Sequence, residues 1–279
     1  LSGTKLSELK DIGINRLSIG VQSFCNTDLK FMNRKHSAEE AIQSIKLAQK
    51  FEFQNISIDL IYGLPKQTLK KWKNNVEQLF SLSIPHFSAY ALTIEKNTTL
   101  YHLVKNKKIT PLTDNKTNAQ FNLLQIEAKK RGFIHYEISN FGRKKFFSKH
   151  NISYWNDNHY LGVGPSAHSY NGKTRCWNVA SNKQYIFSVN SNQKFFDEEK
   201  LSIVQKYNEY ILTSLRTIWG TSNKIIKKKY GKKAEMHFLK EIEKWKKKNY
   251  VASKGNVYTL TTYGKLFADT ITSDLFIVD

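Results

Sequence analysis

Cysteine is almost missing from this sequence: Cys25 and Cys176 are the only two among 279 residues. They form no CxxC pair, so a disulfide scaffold and a cysteine-built metal site within the chain are excluded. Long apolar runs are missing as well; none approaches the ~18 residues that a membrane-crossing helix requires. No charged n-region precedes an apolar h-region, and the expected setting is cytoplasmic. Arginine is scarce, with 6 Arg against 38 Lys in a chain of net charge +21. Arg is the side chain that reads phosphate and base edges bidentately. The charge, accompanied by 24 Asn, therefore reflects the codon bias of an AT-rich genome more than a nucleic-acid surface. No Ser-His-Asp order or phosphate-cradling glycine loop is present, and Glu127 and Glu137 show no paired-carboxylate pattern. Hydrolase chemistry has no support.

What is present is an alternation of strand and helix. Leu6, Leu9 and Ile12 mark the apolar face of a first helix that Gly13 ends. LSIGV follows as a continuous apolar run, the mark of a buried strand. Ser37-Ala38-Glu39-Glu40 is a capping box that opens a helix carried by Ala41, Ile45 and Ala48. NISIDLIYGLP is the second strand, and Leu69, Trp72, Val76, Leu79 and Phe80 make the next amphipathic helix. HFSAYALTI is the third strand. Asp114 caps a helix that stops near Gly132, and IHYEI is the fourth strand. The spacing, roughly 30 to 40 residues per unit, is that of a parallel sheet or barrel.

Beyond about residue 196 the rhythm changes. Leu201, Val204, Ile211, Leu215 and Ile218 make one helix, and shorter helical stretches lie near 222–230 and 234–248. YVASKGNVYTLT reads as a hairpin turning at Lys254-Gly255-Asn256, with a last helix after Thr262. Helices followed by a β-hairpin suggest a winged-helix-like module. Residues 223–249 carry 11 Lys and 3 Glu, which reads as a solvated helical face, with a basic nucleic-acid-binding module as the minor alternative. Residues 140–195 are rich in Asn, Tyr, His and Gly without strong periodicity, and loops of this kind carry chemistry.

In a parallel β/α barrel, functional groups collect at the carboxyl ends of the strands. Gln22 directly follows LSIGV. If Ile58 and Leu60 face the helices, Asp59 points into the barrel with Ser57 and Ile61, because side chains alternate along a strand. A carboxylate there is costly unless it is paired. Arg34 in the preceding loop would serve as an internal partner, or Gln22, Arg34 and Asp59 together would recognise a ribose or an amino-acid moiety; spacing alone leaves these open. The third strand ends in Tyr90 and Ala91, followed by Glu95, which reads as a solvated loop residue.

NRLSIGVQSF, LKFMNRKH, NISIDLIYGLP, HFSAYALTIE, HYEISNF, HNISYW and YLGVGPSAHSY, in this order, resemble the oxygen-independent coproporphyrinogen III oxidase family of radical S-adenosylmethionine (SAM) proteins. The HNxxYW element resembles that of the HemW-type heme chaperone subgroup. The resemblance runs from about residue 4 to 270. It implies an α/β fold: a partial radical SAM (β/α) TIM-like barrel over residues 1–171, including the HNxxYW segment. A linker and a helical, winged-helix-like domain follow over 172–279. It implies further that Gln22, Arg34, Asp59 and Ala91 contact SAM, and that His150, Asn151, Tyr154 and Trp155 bind heme, with His150 as the iron ligand.

One element of the family is not found here. The CxxxCxxC loop that holds a 4Fe-4S cluster, and the glycine-rich stretch after it, do not occur in this sequence. Three βα units amount to roughly 90 residues, and the expectation is an N-terminally truncated piece of a longer protein, the cluster belonging to the intact one.

Within KHNISYWNDNHYLGVGPSAHSY the three histidines, His150, His159 and His168, lack the short spacings of a zinc site. They serve either to pack a loop through hydrogen-bonded His and Tyr side chains or to form a porphyrin site. A neutral imidazole ligates heme iron, Trp and Tyr offer flat faces with polar tips, and His168 is a weaker contact candidate beside the glycines of GVGPSAHS. The function expected from the resemblance is heme binding and delivery to an apoprotein, possible recipients including a membrane-associated respiratory protein. Radical decarboxylation of coproporphyrinogen III is the enzymatic alternative.

Overall fold

The structure, a computed structural model, describes residues 1–278. The chain divides into two compact units, Leu1–Phe147 and Ser148–Asp279. The segment 149–170, grouped with the barrel on sequence, is thus compact with the second unit.

The first unit follows the strand–helix alternation. Its elements are α1 (Gly3–Asp11), β1 (Arg16–Gln22), α2 (Asn26–Phe31), α3 (Ala38–Lys50), β2 (Asn55–Tyr62), α4 (Leu69–Ser81), β3 (His86–Ala91), α5 (Thr99–Lys105), α6 (Asp114–Lys130), β4 (Ile134–Glu137) and β5 (Asn140–Gly142). The capping box at Ser37 and Glu40 forms as read. α6, by contrast, takes Thr113 as its N-cap, with Asp114 inside the first turn. On α1 only Leu6 is buried, and Ile12 is exposed.

The sheet order is β1-β2-β3-β5-β4. β1, β2 and β3 are parallel. The fourth strand does not lie beside the third: β5, the short return after IHYE, inserts between them, antiparallel to both. The tight Ile138-Ser139 turn makes this possible, since an antiparallel partner needs only a hairpin where a parallel one needs a crossover.

The core lies between one face of this sheet and the helices. Ile56, Ile58, Leu60, Phe87, Ala89 and Phe141 are buried there. The Phe87 and Phe141 rings stack at 4.7 Å, with Phe133 5.3 Å from Phe87. Trp72 of α4 is fully buried, and its indole N–H is satisfied by the Gln120 carbonyl of α6 at 2.9 Å. A buried indole without that acceptor would lose about 1–3 kcal/mol.

The other face of the sheet is polar, contrary to the reading of LSIGV as a wholly buried strand. Along β1, Ser18 and Gly20 are exposed while Val21 is buried. The register aligns Ser18, Ser57 and His86 in one row, and Asp59, Ser88 and Asn140 in the next. Parallel strands buried on both faces read as continuous apolar runs; these strands put polar groups on every second residue.

The second unit contains α7 (Lys149–Trp155), β6 (His168–Tyr170), β7 (Thr174–Asn178), α8 (Asn182–Asn190), β8 (Phe196–Lys200), α9 (Ile203–Leu215), β9 (Thr221–Ser222), α10 (Asn223–Lys247), β10 (Val251–Lys254), β11 (Val257–Leu260) and α11 (Ala268–Asp274). The stretch without periodicity is ordered as an antiparallel sheet, β6-β7-β8. The helix expected over 201–218 is shorter, because Ser202 and Gln205 form a capping box that starts it. α10 is broken at Gly231, whose φ of 90° no helix interior accommodates. This separates the two helical stretches anticipated there. The hairpin β10–β11 turns at Gly255 and is joined by β9 into a three-stranded sheet beside helices, the arrangement of a winged helix. No described helix is long and apolar enough to cross a membrane.

Candidate functional site

The polar face of the first unit's sheet is the site that strand alternation builds. Asp59 is half-buried on it. Burial raises its carboxyl above the usual range, against the opposing pull of Ser88, Ser18 and Arg16. The charge that acts on Asp59 is that of Arg16, at the start of β1, without an ion pair between them, and Arg34 makes no ion pair with Asp59 either. Arg16 donates to Asn55 Oδ1 across the β1–β2 pair and to the Phe146 carbonyl at 3.4 Å. At the amino ends of the strands His86 is buried, its Nδ1 2.7 Å from Ser57 Oγ and its Nε2 2.8 Å from Tyr136 Oη. Burial, and then Arg16, hold its imidazole down to a pKa of about 3.

Gln22 ends β1 after a register shift, with a φ of 66°, level with Leu60 of β2. Its amide folds back over Gly20. A Cβ on Gly20 would come within 2.8 Å of Gln22 Nε2, so the glycine is what leaves room for the amide on the polar face. Ala91 is at the exposed end of β3, level with Tyr62. Arg34 is exposed and lines a cavity of about 570 Å³ with Met32, Ile61, Leu92, Leu100 and Leu103. That volume is in the range of small-molecule sites, which are mostly apolar with a few polar groups fixing orientation. The structure thus sets Gln22 and Asp59 on adjacent strand ends, and Arg34 on a cavity whose wall includes Ile61, two residues beyond Asp59.

The loops carrying these residues are held by a buried polar cluster that the sequence reading missed. Asp28 accepts from Ser23 Oγ and Gln67 Nε2, both at 3.1 Å. Asn75 of α4 accepts from the Phe24 backbone N–H and is the alternative acceptor for the one Ser23 hydroxyl proton, at 3.1 Å. Gly63 N–H donates to both Gln67 and Gln120. This cluster ties the β1–α2 loop to the β2–α4 loop. Replacing Asn75 with Ala leaves the Phe24 N–H without its acceptor, while the Ser23 hydroxyl keeps Asp28. Urea unfolding should show a loss of about 1–3 kcal/mol, and an unchanged midpoint would show the cluster to be incidental.

In the second unit, α7 places His150 and Tyr154 one turn apart, both exposed. Their rings meet edge to face at 5.0 Å, and Tyr154 in turn meets Tyr160 at 4.9 Å. Ser148 caps this helix through the Asn151 N–H. Among the described residues no hydrogen bond engages the His150 imidazole. Trp155 packs inward, its indole N–H buried without a partner and the Arg216 guanidinium 6.0 Å from its ring. His159 lies against Gly172 and edge-on to Tyr170. His168, exposed in β6, faces Trp177 across the strand pair. Gly162 has no room for a side chain, since a Cβ would lie 2.2 Å from the His168 carbonyl. The glycine-rich loop therefore packs directly on β6.

Among the described residues no group of three or more His, Cys, Asp and Glu is placed to hold a metal ion. Cys25 and Cys176 belong to different units, so the residues present do not fit a three-thiolate 4Fe-4S site. They do fit a nucleoside bearing an amino acid: a half-buried carboxyl, an amide at the next strand end and a cavity with one guanidinium at its wall.

The model of the radical SAM superfamily matches residues 2–79, and the chain is of the radical SAM class. In structure the chain is similar to coproporphyrinogen III oxidase (HemN) from Escherichia coli. The TM-score is 0.79 at 20% identity, over 99% of this chain and 67% of that one. In sequence it is 32% identical to the heme chaperone HemW of Bacillus subtilis (strain 168) over 272 residues, 97% of this chain and 72% of that protein. With HemW of Lactococcus lactis it shares 33% identity over 240 residues, 86% and 62% of the two chains. The chain belongs to the HemW heme chaperone family.

Proposed function

We propose that this chain binds heme on the exposed face of α7, with His150 as iron ligand, and passes it to an apoprotein. The observation that carries this reading is an exposed imidazole that makes no hydrogen bond to the described protein and stands against Tyr154 in a row of tyrosines. An imidazole already bonded to the protein through both nitrogens, as in His86, has no lone pair to offer iron. Tyr154 supplies an apolar ring for the porphyrin face. Asn151 gives its backbone N–H to the Ser148 cap, and Trp155 supports α7 from within. SAM would sit at the strand ends, with Gln22, Asp59, Ala91 and Arg34 around it. The cluster that accompanies SAM in radical chemistry would be supplied by residues other than these. A cytoplasmic setting and a respiratory recipient belong to the same proposal. The lysines of α10 give little support to a nucleic-acid role: Lys227, Lys229, Lys244 and Lys246 each face a carboxylate within 4.0 Å.

Hemin titration followed by desalting tests the proposal. One heme retained per chain, and released to apomyoglobin on mixing, is the expected result. Retention of none, or of several insensitive to changes on α7, would remove it.

A further inference from the structure

His36 ends the motif LKFMNRKH, and the function proposed above leaves it unused. It is half-buried in the loop between α2 and α3, two residues beyond Arg34. Its Nε2 lies 3.1 Å from the carbonyl oxygen of Val21, near the end of β1. A carbonyl only accepts, so Nε2 carries the proton and donates. The backbone that bears the ring is fixed as well. Ser37 N–H donates to Glu40 Oε2 at 2.7 Å, and Ala38 N–H donates to Asn26 Oδ1 at 2.8 Å.

The same Val21 carbonyl closes a tight turn. Ser23 N–H donates to it at 2.8 Å, and Gln22 lies between the two at a φ of 66°. This is the left-handed γ-turn, which is rare and strained, and such strain persists only where the surroundings over-determine it. The turn decides where Gln22 points. After the register shift Gln22 stands level with Leu60, whose side chain is fully buried in the core. Residues level with each other on paired strands share a face, so an extended residue at this position would turn toward the core. The left-handed backbone instead brings the carboxamide back over Gly20, on the polar face. Beyond the turn, Asn75 takes the Phe24 N–H and Ser23 Oγ takes the Cys25 N–H. On the near side, His36 holds the carbonyl itself.

We propose that His36 is a positioning residue for the strand-end site: its Nε2–H holds the Val21 carbonyl in the turn that aims the Gln22 carboxamide over Gly20. His36 touches no ligand and acts through Gln22. That the ligand is SAM rests on the reading of the previous subsection.

NMR of the full chain, deuterated except at Gly and labelled with nitrogen-15 at Gln and His, tests the role without any ligand. The Gln22 amide is assigned by its loss in Gln22→Ala. In the wild type its protons should show cross-relaxation to the Gly20 α-protons, and the neutral His36 ring should be the Nε2–H tautomer. His36→Gln places an amide donor where Nε2 stood and should keep the Gln22–Gly20 contact. His36→Phe keeps a ring without the donor and should lose it; if that variant fails to fold, His36→Asn, whose amide falls short of Val21, takes its place. An Nδ1–H tautomer, or a wild-type Gln22 amide without the Gly20 contact, overturns the proposal whatever the variants do. So does a contact that survives in His36→Phe. Calorimetry of SAM binding reads the consequence. His36→Phe should bind about fivefold more weakly, the worth of one hydrogen bond, and His36→Gln should restore the affinity. In a Gln22→Ala background His36→Phe should cost no more, and an equal loss with and without Gln22 overturns the proposal. Absence of SAM binding in the wild type overturns the SAM reading, while the Gln22–Gly20 contact still decides the role of His36.

Discussion

Replacing His150 with Ala should abolish the Soret band that hemin develops on binding to this chain, with at least a tenfold loss of affinity. Loss of a metal ligand exceeds the 10–100-fold cost typical of losing a group that merely orients one. The prediction is sharp because His150 lies on the exposed face of a seven-residue helix and makes no hydrogen bond to the described protein. Its removal leaves no cavity and no orphaned donor, so stability should stay within about 0.5 kcal/mol. Spectral change and unfolding midpoint therefore separate cleanly. His159→Ala, which alters a ring packed against Tyr170, should lower stability and leave the band. An unchanged band in His150→Ala, with loss in His168→Ala instead, would move the iron to β6.

The second large effect concerns acid. His86 is buried and held neutral down to a pKa of about 3 by burial and then by Arg16, whereas an unfolded histidine titrates near 6.5. Between those values the unfolded chain binds a proton that the folded chain refuses, so stability falls as the pH is lowered from about 6.5. Each pH unit costs up to about 1.4 kcal/mol, and the drop from pH 6.5 to 4.5 is about 2 kcal/mol. Carboxylates add their own acid dependence, so the comparison is with His86→Gln, whose amide still reaches toward Ser57 and Tyr136 and does not titrate. Urea midpoints at both pH values should show a steeper dependence in the wild type. Parallel dependences would mean that water reaches the imidazole.

Much of the strand layout was legible along the chain because strand periodicity is local. In ISIDL, Asp59 had to share a face with Ser57 once Ile58 and Leu60 were assigned to the core, and the structure puts it there. HFSAYA carries the same signal, with His86, Ser88 and Tyr90 alternating with Phe87, Ala89 and Ala91. The Ser37 capping box and the Gly255 turn were likewise legible, since three or four consecutive residues decide them. Which cation acts on Asp59 was not legible in the sequence. Adjacency of loops in sequence says nothing of which side chain crosses a strand pair, and Arg16 does so from β1.

The amino-acid sequence by itself determined the alternation of elements, the faces of the strands and the family, because each depends on spacing within one element or on ordered short motifs. Only the tertiary structure decided that β5 enters between β3 and β4, that Asn75 and Asp28 clamp two loops, and that Asn140 stands in one row with Asp59. Those are relations between segments up to about 80 residues apart, set by register across the sheet, and register is a property of strands packed together rather than of any one of them.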